Sequence, residues 1–232
     1  MKDPRPISCT GSGRGRGVGV DEVRRFGWLC GIGGPVLISV GFFVVDEGGT
    51  TGPDGSIGVL VDEIVRARVR ILVGSVIGMI GALLLIWFVS ALRLRLGRDP
   101  DPASTIGLAA YGSGVVAAAG AFAYGSFRMA LAGINDPRAL TEGMRPLAII
   151  GEHVGDVLMW GLIGLVVAIS VGALVVRLLP KAMAIVGLVL CAGAVALSPT
   201  DHGGVAAALL PWMAVAGAML DRSDRAAGRN YD

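Results

Sequence analysis

Glu152, His153 and Asp156 interrupt a stretch that is otherwise apolar from residue 147 to residue 176. An ionisable side chain in such a stretch is costly unless it is paired or put to use, so these three are the first candidates for chemistry. On a helix Glu152 and Asp156 are four apart and share a face, and His153 and Asp156, three apart, are also neighbours. His202, the only other histidine, follows Asp201 at the start of the last apolar stretch, and Arg128 closes the third. Read as a metal site, His153, Asp156 and His202 are acceptable zinc or manganese ligands, with Glu152 as a further acceptor. Two histidines at one depth also suit a b-type haem, and the two carboxylates suit a proton- or ion-coupled path. The bland use of the same residues is structural and needs no cofactor. Arg128 pairs with Glu152 or Asp156 across a helical hairpin, Asp201 caps its helix, and His202 is interfacial. That reading leads, because pairing is the usual fate of intramembrane charge and E-H-x-x-D is not an established metal motif.

A serine nucleophile is a poorer fit. Rhomboid-type proteolysis asks for a GxSG serine and a histidine in the last span. Here the string is Tyr111-Gly112-Ser113-Gly114, with tyrosine where the first glycine belongs. Ser113 also falls toward the cytoplasmic end of its apolar stretch and His202 at the outer end of the last one, beyond hydrogen-bond reach. Ser113 reads as a small packing residue.

The elements that must position these residues are membrane helices. Of the 232 residues 53% are hydrophobic and only 16% charged, against about a quarter charged in soluble domains. A hydrocarbon core needs about 20 apolar residues as helix. That length places spans at 26–45, 69–92, 105–130, 147–176, 181–197 and 199–220, an all-α six-span transmembrane bundle. Lys2, Arg5, Arg14, Arg16, Arg24 and Arg25, then Arg93, Arg95 and Arg98, then Arg177 and Lys181, then Arg222, Arg225 and Arg229 fall on one side. Only Arg66, Arg68, Arg70, Arg128, Arg138 and Arg145 fall on the other. The bias puts both termini in the cytoplasm of a bacterial plasma membrane and the Glu152–Asp156 segment near the outer face.

Residues 1–22 read as a disordered cytoplasmic tail, 23–222 as one six-span domain and 223–232 as a second tail. The Gly-rich GSGRGRGVGV cannot bury enough surface to order itself. A net charge of +2 argues against nucleic acid as a partner, leaving the lipid bilayer and, unspecified, a second copy or another protein. Eighteen of the 20 basic residues are arginine, which looks like the codon bias of a GC-rich genome. Cys9, Cys30 and Cys191 form no disulfide pattern.

The first outer loop opens with the turn chemistry of DEGGTTGPDG and then becomes periodic. Ile57, Leu60, Val61, Ile64 and Val65 oppose Asp62, Glu63 and Arg66, which predicts an amphipathic helix on the membrane surface or an extension of span two. Ser198-Pro199-Thr200-Asp201 predicts a capped helix start. Gly27/Gly31, Gly74/Gly78 and Gly151/Gly155 are G-xxx-G pairs that let helices approach closely. Trp160 and Trp212, both mid-span, are expected in the bundle core, and Pro211 is expected to kink span six.

The layout of a short first span, a long outer loop, then RILVGSVIGMIGALLLIWFVSALRLRL and four further spans resembles uncharacterised six-span membrane proteins of actinobacteria. The resemblance covers residues 24–222 in pattern and implies neither an activity nor site residues. The functional expectation is a non-enzymatic membrane protein whose outer polar cluster binds or senses an ion or small ligand, or staples the bundle. A small transporter and a metal- or haem-binding enzyme are the rivals. A transporter should show internal repeats and broken helices, and no three-plus-three repeat is evident.

Overall fold

The computed structural model describes the main chain of residues 20–45, 57–96, 102–134, 137–197 and 202–228. It describes the side chains of residues 26–42, 64–96, 103–134, 150–151, 153–197 and 208–222. Residues 1–19 and 229–232 of the expected tails, the turn-rich part of the first loop and the cap expected at Ser198–Asp201 lie outside these residues, whereas 20–22 and 223–228, also expected in the tails, belong to the first and last helices.

The described chain is all-helical, with six α-helices: α1 (Val20–Ser39), α2 (Ile57–Leu96), α3 (Pro102–Gly133), α4 (Pro137–Val175), α5 (Lys181–Leu197) and α6 (His202–Gly228). Three of them contain segments long and apolar enough to cross a membrane: Ile64–Leu96, Ala103–Gly133 and His153–Val175. Phe26–Phe42 and Lys181–Leu197 are shorter apolar helices. The segment expected to be an amphipathic helix, on the membrane surface or extending span two, is helical, and it forms the first turns of α2 without a break. Ile64 is buried, whereas Val65 is exposed on the side turned away from the bundle.

α1 does not end as a regular helix. Val40–Val45 continues it as a π-helix, a wider coil usually confined to single turns. Pro35 lies inside α1 and has no N–H to give the carbonyl of Gly31, four residues back. That carbonyl faces Gly217 of α6, where an added Cβ would lie 2.9 Å from its oxygen. A missing side chain on α6 thus lets the two backbones meet where the proline has interrupted the α1 ladder. α6 runs through Pro211 as one helix.

Neighbouring helices are antiparallel. α2 packs on α1 and α3, α4 on α3, and α6 closes the ring by packing on both α4 and α1. α5 leans on α4 and α6 from outside that ring. The α1–α2 seam runs from Gly27 against Ala91, through Gly31 against Phe88 and Gly34 against Leu85, to Gly41 against Gly74 and Gly78. Gly27/Gly31 and Gly74/Gly78 therefore work as the pattern predicts. The third pair does so only in half: Gly151 faces Phe127 of α3, and Gly155 meets nothing within 4 Å.

Trp28, Leu85, Phe88, Leu92, Leu162, Leu165, Ile169, Leu209 and Leu210 belong to one core cluster in the ring. A second cluster, Ile64, Ala67 and Ile71 of α2 with Leu131 and Ala132 of α3, sits at the opposite end from Trp28. Trp212 is 5% exposed, as expected of a core tryptophan, and its Nε1 donates to the Met183 carbonyl at 3.2 Å, tying α6 to α5. Trp160 corrects the expectation: it is 51% exposed and points off the bundle. On α4 the face toward α3 carries Gly151, Leu158 and Gly161, and position 160 falls outside it.

Candidate functional site

The antiparallel packing of α3 on α4 sets the level of the candidate residues. Phe127 lies against Gly151, Gly120 against Leu158, and Ala117 against Gly161. Arg128 therefore stands within about two turns of the Glu152–Asp156 segment along the bundle axis, at the end away from Trp28. The hairpin can close this tightly because Gly120 and Gly161 leave room for the partner helix's backbone.

Within that segment the structure shows one pair directly. His153 Nδ1 lies 3.5 Å from Asp156 Oδ2. The separation exceeds the usual 2.7–3.2 Å of an N–H···O bond, so the contact is an electrostatic pairing of neighbours one helical turn apart. Asp156 is 27% exposed and His153 75% exposed. With Nδ1 turned to the carboxylate, Nε2 is the imidazole nitrogen left facing outward. A carboxylate beside one imidazole nitrogen orients the ring, the arrangement by which metal-binding histidines are held. In this geometry Asp156 orients His153 and is less suited to share a metal with it.

Arg128 is held by an aromatic stack. Its guanidinium carbon lies 5.9 Å from the centre of the Tyr124 ring, one turn back on α3. Tyr124 in turn meets Phe42 edge-on, with centroids 5.1 Å apart and planes at 88°. Phe42 belongs to the π-helical end of α1, so two helices fix the direction of one cation. The Arg128 side chain bends toward the N-terminus of its own helix, the direction long helical side chains prefer. Arg68 Nη2 of α2 donates to the Gly133 carbonyl at 3.3 Å, a second guanidinium at this end.

Asp201 lies outside the described residues, and so do the side chains of Glu152 and His202. The expected meeting of Arg128, Glu152, Asp156 and His202 and the bis-histidine geometry therefore rest on the sequence argument. Among the described residues no group of three His, Cys, Asp or Glu side chains is placed to share a metal.

Ser113 behaves as the packing residue expected, with its Oγ 2.7 Å from where a Cβ would stand on Gly164 of α4. Sequence reasoning missed the aromatic holders. Tyr124 and Arg128 are four apart, a readable i, i+4 pair, whereas Phe42 comes from another helix and left no signal. It also missed two such holders at the opposite end: Arg93 over Tyr111 at 5.0 Å and Arg95 over Trp28 at 5.6 Å. Comparison of the chain with known protein families, with curated proteins and with solved structures gives no match.

Proposed function

We propose that this chain is a six-span protein of a bacterial plasma membrane, with both termini in the cytoplasm, that binds or senses a small cation through the outer end of α4. The observation that carries the reading is the His153–Asp156 pair, which presents an oriented and accessible imidazole at the mouth of an apolar helix. Glu152, one turn before Asp156, and His202, at the start of α6, are the further donors the sequence supplies there. The shorter apolar helices α1 and α5 complete the crossing count together with α6, whose Leu209–Leu220 stretch carries six of the buried core residues.

Metal analysis and a visible absorption spectrum of the purified protein test the site. Bound zinc or manganese that falls in both His153→Ala and His202→Ala supports it, and a Soret band would support haem instead. Metal-free protein that binds no added divalent ion would refute it. Single cysteines tested with an impermeant label address the topology: positions 50 and 140 should react from outside and position 98 only from inside. A second reading, that the cluster only staples the bundle, is favoured by the Tyr124–Arg128 stack. On that reading Arg128→Ala loses about 0.5–2 kcal/mol of stability and no metal.

A further inference from the structure

We infer that the lipid-facing groove between α2 and α3, at the Trp28 end of the bundle, binds the phosphate headgroup of an anionic phospholipid, with Arg93 as its anchor. The inference rests on the membrane reading of the chain but not on its orientation.

Arg93 is exposed on the last turn of α2, and its guanidinium lies over the half-buried ring of Tyr111 on α3. A guanidinium held flat against a ring keeps its edge N–H groups free, and these donate in pairs to phosphate oxygens. Apolar surface flanks that cation and continues toward the middle of the bundle. At its own level and just beyond it toward the end, Leu94 is 69% exposed and Leu108, three residues before Tyr111, is 57% exposed. Ile86 and Val115, both half-buried, follow one to two turns further along the same groove. Ser90 leaves this lining smooth, because its hydroxyl donates back to the Ile86 carbonyl at 2.7 Å. A cation at the rim with an apolar trough behind it matches a headgroup and its acyl chain. Charge complementarity selects an anionic lipid over a zwitterionic one, since the guanidinium of Arg95, two residues on from Arg93, also lies at this end.

The test uses the full chain in detergent micelles, titrated with phosphatidylglycerol or with phosphatidylcholine of the same acyl chains, and binding is read by native mass spectrometry. The protein should prefer phosphatidylglycerol by about fivefold, the contribution of one basic residue near a lipid surface. Arg93→Gln should abolish the preference, Tyr111→Leu should reduce it, and Tyr111→Phe should preserve it because the ring remains. Arg177→Gln, an exposed cation elsewhere at the same end, should leave it in place. Excess inorganic phosphate should not displace the lipid. Equal binding of the two lipids, an undiminished preference in Arg93→Gln, or full competition by inorganic phosphate would overturn the inference. Extraction of the native protein from membranes by alkaline carbonate would instead overturn the membrane reading itself, so the two failures are distinguishable.

Discussion

Gly41→Ala probes the closest backbone approach between α1 and α2. A methyl group there would stand 2.5 Å from the Gly74 carbonyl oxygen and 2.5 Å from the Gly78 nitrogen, with the Gly78 Cα at 2.9 Å. All three are main-chain atoms, so no rotamer change relieves the clash. Carbon contacts are comfortable at about 3.5–4.0 Å, so the helices must part by roughly 1 Å at this crossing. A gap of that size forfeits a quarter to a half of each dispersion contact it opens, and overpacking of this kind costs about 1–3 kcal/mol. The helix preference of Ala over Gly returns at most about 1 kcal/mol, so the net effect is destabilising. Gly193→Ala is the matched control, because nothing lies within 4 Å of the added carbon. It should be neutral or stabilising by up to about 1 kcal/mol. Unfolding of both variants in mixed SDS micelles, followed by tryptophan fluorescence, gives the comparison. If Gly41→Ala unfolds at the same SDS fraction as Gly193→Ala, the α1–α2 contact at Gly74 and Gly78 is not a close one and the seam described above is wrong.

Trp212→Phe removes the donor to the Met183 carbonyl and part of a ring that packs on Gly187. It should cost about 1–3 kcal/mol in the same unfolding assay, and a cost under a few tenths would show that α5 is not held there. Ser170→Ala should go the other way. The Ser170 hydroxyl is fully buried with no hydrogen-bond partner among the described residues, so its removal should be neutral or should stabilise by about 1 kcal/mol. A loss of stability would mean that an ordered water satisfies it.

The helices were legible because apolar run length is a one-dimensional signal. The bounds of α5 follow the apolar run 181–197 residue for residue. The ends of α2 and α4 were harder to place. Asp62, Glu63 and Arg66 break the apolar run but not the helix, since a polar turn outside an apolar environment costs a helix little. The π-helical end of α1 carries no pattern in VGFFVV, and Gly41 within it lies against two glycines of α2 that are distant in sequence. The site was legible where it is local: His153 and Asp156 are three apart, and they meet. What holds Arg128 was only half legible, because Phe42 reaches Tyr124 from a helix more than 80 residues away in sequence. Trp160 was misread because run length gives depth along a helix but not which way a side chain turns.

The helices are far from equal in length, and on the six-span reading this bears on the bilayer itself. α5 has 17 residues, about 25 Å of helix, against a hydrocarbon thickness near 30 Å. α2, at 40 residues, runs to about 60 Å. A membrane around this bundle would be pinched where α5 faces it and relaxed elsewhere, since a short segment draws the bilayer thin around itself. α5 stands outside the ring, so the pinch is one-sided, and lipids with short or disordered tails would collect along that flank.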